Sequence, residues 1–349
     1  MPLQVKTIIE KSTPESIIRA ATIIKKGGLV AFPTETVYGL GANGLDGEAA
    51  ARIYMVKGRP ADNPLILHIA SKAMGYELVE EVSPQAQRLM DAFWPGALTL
   101  ILPKKPHIPT EVSCGLNTVG VRMPAHPVAL DLILASGVPL AAPSANVSGR
   151  PSPTLASHVA HDLEGTIDMI LDGGATDWGL ESTVAEVSPD GVCVLRPGAV
   201  TIEQLREIVP NCWLDKAIEK TADAGFTPKA PGMKYRHYSP EAEVILVTGS
   251  ERRVLEYIHS ETASTSNLKK IGILATEQTL ACYTGKCDIV LSLGNRENPI
   301  TAAAGLFRCL REFDVHGIRR VYVEGIDERG LGLAVMNRLK KAAVKIVKL

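Results

Sequence analysis

The sequence predicts an α/β protein in two domains. At 349 residues the chain is long for one domain and comfortable for two. After Glu243 strand-like and helix-like segments alternate regularly, which implies a parallel sheet with helices on both faces. Between about Asp215 and Glu243 that patterning is lost, in a stretch with prolines and no apolar periodicity. The chain therefore divides into a first domain at 1–212, a linker at 213–242 and a second domain at 243–349.

The first domain opens with a helix over Ser12–Lys26, capped by Ser12 or Thr13, with Pro14 in its first turn and Gly27-Gly28 as its stop. Leu29–Phe32 is a buried strand that Pro33 breaks, and Thr34, Glu35 and Thr36 follow. Asp46 is a good N-cap for a helix with Ala49, Ala50, Ile53 and Val56 on one stripe, and Gly58 suits the left-handed residue that ends it. Pro60 holds Arg59 extended, so Lys57 and Arg59 stand at a helix end, placed to converge on one anion. Asn63 and Pro64 lead into the apolar run Leu65–Ile69, interrupted by His68.

A helix over Ser83–Ala92 ends before Trp94-Pro95-Gly96, the strand Ala97–Leu102 follows, and 103–117 reads as loop. Thr118–Met123 alternates, with Thr118, Gly120 and Arg122 on one face and a glycine that leaves room for something to approach. Pro127–Ser136 is a helix and Pro139–Ala142 a short strand running into Ser144 and Asn146, whose spacing lets both face one ligand. The segment 148–154 reads as a flexible polar loop, and Asp168–Asp172, Val184–Val187 and Val192–Arg196 as strands, before a short helix at Thr201–Ile208.

Composition narrows the function. Thirty-seven basic residues balance 38 acidic ones, so bulk charge does not announce a nucleic-acid binder. The six cysteines form no CxxC and no zinc spacing. The N-terminus lacks a signal-peptide core and no apolar run is long enough to span a bilayer, so a soluble, reduced, cytoplasmic protein is expected. Gly39–Gly44 formally matches GxGxxG but does not follow a strand directly, and there is no P-loop. What remains is a set of cations (Lys57, Arg59, Arg122, Arg196) among neutral hydrogen-bonding groups, gathered at strand ends where α/β proteins bind ligands. With no Ser/His/Asp arrangement, such a set suits anion binding and positioning rather than covalent catalysis.

The ordered motifs PTETVYGLG, KGRPADNPL, FWPGALTLIL, TVGVRMPAHP, PSANVSG, ESTV and VLRPGAV resemble the YrdC-type family of threonylcarbamoyl-AMP synthases, and APGMKYRHYSP with the trailing α/β domain resembles its longer, two-domain form. The resemblance implies a YrdC-like, twisted open α/β sheet followed by a Rossmann-like parallel domain, with the linker contacting the active site. It also implies a reaction: L-threonine, bicarbonate or CO2, and ATP give threonylcarbamoyl-AMP and pyrophosphate, with Mg²⁺ held mainly by the ATP phosphates. The product would pass to a tRNA threonylcarbamoyl-transferase complex for modification of the adenosine next to the anticodon, with at most a weak tRNA contact by this chain. On the same basis Lys57 and Arg59 are the catalytic pair and face the ATP phosphates. Asn63, Thr118, Ser144, Asn146, Ser152 and Arg196 complete the ATP side, with Tyr235 or His237 from the linker. Thr36, His68, Arg122, Ala142 and Ser182 hold threonine, Arg122 on its carboxylate.

Two other classes compete. An RNA-binding module without adenylation would use a basic concave sheet, but near-neutral charge and 5% aromatics weigh against it. Carbamoyl transfer, as in hydrogenase-maturation proteins with a related domain, would come with zinc-finger cysteines that this chain lacks.

Overall fold

Two sheets, one in each of two units, organise the computed structural model, which describes residues 5–218, 228–231, 238–264 and 270–349. The units are Met1–Ser148 with Ser152–Tyr235, and Gly149–Pro151 with Arg236–Leu349.

In the first unit the strands are β1 (Ile8–Lys11), β2 (Val30–Phe32), β3 (Gly39–Asn43), β4 (Ile66–His68), β5 (Leu98–Pro103), β6 (Thr118–Arg122), β7 (Leu140–Ala141), β8 (Met169–Asp172), β9 (Thr183–Ser188), β10 (Gly191–Arg196) and β11 (Cys212–Leu214). They form one sheet in the order β1-β8-β2-β3-β7-β4-β6-β5-β9-β10-β11. It is mixed: β4 and β6 are parallel, as are β5 and β9, while β3, β7 and β4 run antiparallel in turn and β5 opposes β6.

Local chemistry explains the elements that matter for the site. Thr13 caps the helix Pro14–Lys25 in a capping box with Ser16. Asp46 accepts from the Glu48 and Ala49 amides at the start of Gly47–Lys57, and Gly58 closes that helix with φ 59°. That left-handed turn is cheap only for glycine, and it releases the chain with Lys57 on the last helical turn.

Several expectations need correction. The GLGAN segment, discounted as a nucleotide motif and given no element in the sequence reading, is strand β3. Its glycines allow close approach, since a Cβ on Gly41 would lie 2.7 Å from the Phe32 ring. The 103–117 loop contains a short helix at Thr110–Ser113. The supposedly flexible loop is buried over Ser152–Thr154, and its Pro153 carbonyl accepts from the Tyr38 amide at 2.9 Å. Helices at Lys72–Tyr76 and Ala156–Leu163, and strands β1 and β11, carried too little periodic signal to be read.

The second unit holds β12 (Glu243–Thr248), β13 (Ile271–Thr276), β14 (Ile289–Gly294), β15 (Arg320–Glu324) and β16 (Lys345–Lys348), all parallel, in the order β14-β13-β15-β12-β16. The helix Glu251–Ser264 packs Val254 and Ile258 onto Ile245, Val247 and Ile273. At the end of the central strand the Glu324 carboxylate is wholly buried, and it accepts from the Thr276 amide and hydroxyl, the Thr279 hydroxyl and the Tyr283 phenol at 2.6–2.9 Å. These bonds tie the ends of β13 and β15 together with the turn at Leu280–Tyr283. No helix among the described residues is long and apolar enough to cross a membrane.

Candidate functional site

Alternation sends residues i and i+2 of a strand to one face, and register decides which residues of neighbouring strands share it. On β6, Thr118, Gly120 and Arg122 share a face, as predicted, and Arg122 stands beside His68 of β4. His68 in turn pairs with Leu140 of β7, which puts Ala142 on the same side, its amide donating to the Ile66 carbonyl. Ser144 bridges to Gly39 one step further on. On the other flank Thr99 lies opposite Val184. A bulge between Val194 and Arg196 places Arg196 opposite that same residue.

The site thus gathers residues at or just beyond strand ends, as expected: His68 ends β4, Arg122 ends β6, Arg196 ends β10 and Ser144 follows β7. Antiparallel neighbours leave no common carboxyl edge, so these ends do not all share one edge of the sheet. Part of the face that carries His68 and Arg122 is covered, where Phe32, Leu140 and Ala142 pack against the helices Pro14–Lys25 and Pro127–Ser136. Further along, Ile66, Ile101, Val184 and Leu195 pack with Ala230. Gly120 does not open room for a ligand as expected: a Cβ there would meet Ile66, Ile101 and Thr99 at 3.2–3.3 Å.

The cations on and around this face are held, and Lys57, Arg122 and Arg196 are buried. Arg122 Nη2 donates to Glu35 Oε1 at 2.7 Å with both side chains 5–6% exposed, while its Nε donates to the Gly96 carbonyl at 3.2 Å. Lys57, 2% exposed, donates from its ammonium to the carbonyls of both Ser144 and Asn146. The Ser144 hydroxyl donates to Asn146 Oδ1 at 2.5 Å. Arg59 grips the next turn, giving Nε to the Asn63 carbonyl and Nη2 to the Pro64 carbonyl, both at 3.0 Å. Asn63 is buried and its Oδ1 has no hydrogen-bond partner among the described residues.

A second cluster joins β5, β9 and β10. Ser182 shares a hydrogen bond with Thr99 at 2.8 Å, and its carbonyl accepts from Arg196 Nε and Nη2 at 3.2 and 2.9 Å. Arg196 Nη1 also reaches the Pro231 carbonyl at 3.4 Å. Buried Ser152 donates to the Glu181 carboxylate. Thr34 and Thr36 bond to each other at 2.7 Å, and Thr34 closes the turn on Val37. Of the residues expected from the sequence, Thr118 lies at the far end of β6 from Arg122, and Tyr235 and His237 lie outside the described residues.

Burial pushes the His68 imidazole down to about 3, with the Arg122 charge acting in the same direction. His68 is therefore neutral near neutral pH, with Nδ1 3.3 Å from the Ile66 carbonyl. Because its folded value lies below the ordinary 6.5, the unfolded chain binds more protons between those values, and stability falls as pH drops through that window. Between about pH 6 and about pH 4, unfolding free energy should fall more steeply in the wild type than in His68→Asn, by up to about 1.4 kcal/mol per pH unit. Parallel curves from denaturant titrations would rule this out.

Sequence reading passed over three members of the site: Glu35, Glu181 and Thr99. Glu35 had a signal, a single acid between two threonines directly after a buried strand. Glu181 and Thr99 had none beyond their neighbours, because their partners lie 29 and 83 residues away in the chain.

The comparisons agree with this architecture. The family model Sua5/YciO/YrdC, described as telomere recombination, matches residues 22–198, and the model of the threonylcarbamoyl-AMP synthase C-terminal domain matches 200–344. The threonylcarbamoyl-AMP synthase of Bacillus subtilis is 47% identical over 94% of this chain and 92% of its own length, and that of Pyrococcus abyssi 48% identical over 93% of each. The structure of Pyrococcus abyssi Sua5 complexed with L-threonine superposes with a TM-score of 0.90 at 46% identity, covering 99% of both chains. By sequence along both units and by fold, the chain belongs to the Sua5/YciO/YrdC family, in its two-domain threonylcarbamoyl-AMP synthase form.

Proposed function

We propose that this chain makes L-threonylcarbamoyl-AMP from L-threonine, ATP and CO2 drawn from bicarbonate. The observation that carries the reading is the collection of held cations, Arg122 and Arg196 on one sheet face and Lys57 and Arg59 at the end of the helix Gly47–Lys57, with neutral hydroxyls among them. Threonine's ammonium gives up a proton, and the free amine then adds to CO2 and loses a second proton, giving a carbamate. A carbamate oxygen then attacks the α-phosphorus, the bond from that phosphorus to the bridging oxygen breaks, and pyrophosphate leaves. Both reactants are anionic. Fixed cations offset their repulsion, and holding the two together can contribute about 7–11 kcal/mol.

In this reading Arg122 takes the threonine carboxylate, with Thr36, neutral His68, Ala142 and Ser182 around it. Lys57, Arg59, Asn63, Thr118, Ser144, Asn146, Ser152 and Arg196 form the ATP side. In sequence the catalytic domain, 1–212, is followed by the linker, 213–242, and the C-terminal domain, 243–349, and the linker serves the site of the catalytic domain. Two contacts support that role: Ala230 packs with Ile66, Ile101 and Val184, and the Pro231 carbonyl accepts from Arg196. Tyr235 or His237 would then reach the nucleotide. Mg²⁺ would be held by the triphosphate oxygens, which suit it, and would supply charge neutralisation there. The described residues contain no group of three His, Cys, Asp or Glu side chains that would hold the ion by itself. The product, a mixed anhydride open to attack by water, passes to a cytoplasmic protein that transfers the threonylcarbamoyl group to tRNA.

Pyrophosphate release should require both threonine and bicarbonate, and should fall to background when either is left out. Undiminished release without threonine would reject the reading.

A further inference from the structure

We infer that Glu35 is a substrate-recognition residue, which together with Arg122 reads the two charges of an α-amino-acid zwitterion. The assignment rests on the threonine site proposed above and adds the partner of the substrate's amine.

The Glu35–Arg122 pair is almost fully buried, and a buried ion pair is on average no more stabilising than apolar residues of the same volume. Glu35 is also incompletely satisfied: Oε1 accepts from Arg122, but buried Oε2 has no hydrogen-bond partner among the described residues. An unsatisfied carboxylate oxygen in such a place is a cost to folding. Folding stability alone therefore does not account for this acid at this position.

Substrate chemistry does account for it. An α-amino acid carries its ammonium and its carboxylate on one carbon, side by side. A guanidinium and a carboxylate 2.7 Å apart present the complementary pattern, cation to carboxylate and anion to ammonium. The pattern is held in advance. The Gly96 carbonyl accepts from Arg122 Nε, and the Glu35 carbonyl accepts from the Trp178 amide at 2.9 Å. Other groups here serve less well: His68, beside Arg122 on the sheet, is neutral, and the Glu181 carboxylate is engaged by Ser152. Glu35 Oε2 thus accepts from the amine, and a ligand without one loses that contact while keeping Arg122.

The test is equilibrium binding to the full-length chain of L-threonine and of the 2,3-dihydroxybutanoate in which a hydroxyl replaces the amine. The wild type is expected to prefer threonine by about 30-fold, and Glu35→Gln to reduce the preference to roughly threefold or less while still binding the hydroxy acid. An unchanged preference in Glu35→Gln, with both ligands weakened alike, would mean that Glu35 only steadies Arg122, and would overturn the assignment. Should that variant not fold, the wild type decides: equal affinity for the two ligands overturns the assignment, and the expected preference upholds it. A wild-type chain that binds neither ligand would reject the synthase reading itself, and this assignment with it.

Discussion

Arg122→Ala is expected to raise the threonine concentration needed for half-maximal turnover by roughly 10- to 100-fold, with the ATP requirement moving by less than about threefold. The asymmetry follows from the position of Arg122. It ends β6 beside His68, whereas Lys57 and Arg59 leave the end of the helix Gly47–Lys57 and hold the loops around Ser144 and Asn63. Removing a charge-assisted donor aimed at a carboxylate costs binding of the ligand that carries it. The substitution also strands Glu35 as a buried, uncompensated charge, so stability should fall by about 3–5 kcal/mol. The double variant Arg122→Ala/Glu35→Gln separates the two effects: denaturant unfolding should show most of the stability restored, while threonine stays weak. Equal losses for threonine and ATP in steady-state kinetics would place Arg122 elsewhere in the reaction.

Lys57→Met is expected to lower the rate of adenylate formation by about 10²- to 10³-fold, with threonine affinity within about threefold of wild type. Methionine keeps the stem packed and removes only the ammonium. Two consequences follow. On the proposed assignment the nucleotide side loses a fixed positive charge, and the carbonyls of Ser144 and Asn146 lose the donor that holds them to the helix end. A rapid-quench measurement of adduct formation in a single turnover reads the chemical step directly. An unaltered rate would make Lys57 a purely structural clamp.

The fold was legible where its signals are local. Asp46 and Gly58 bracket the helix Gly47–Lys57 through bonds to residues two or three positions away, and the alternation of Thr118, Gly120 and Arg122 gives a common face whatever the strand beside it. β3 stayed hidden because glycine has low strand propensity; Gly41 reads as strand only once the Phe32 ring is seen against it. The burial of Ser152 was invisible for a similar reason, since a polar Gly/Pro segment gives no hint of the Glu181 carboxylate packed against it.

For the site, the ordered motifs gave the reaction class and a set of candidate residues, because side-chain chemistry is written in the sequence. They did not reveal that His68, Arg122 and Thr99 share one sheet face, nor that Arg122 meets an acid 87 positions earlier. Those facts depend on strand order and direction, which place β6 beside β4 and β5 and bring the turn after β2 within reach of its last residue. The sequence by itself determined which charges and hydroxyls are present and which local elements carry them. The tertiary structure alone decided which of them meet, because a contact between distant positions is set by the packing of the whole sheet and not by neighbours in the chain.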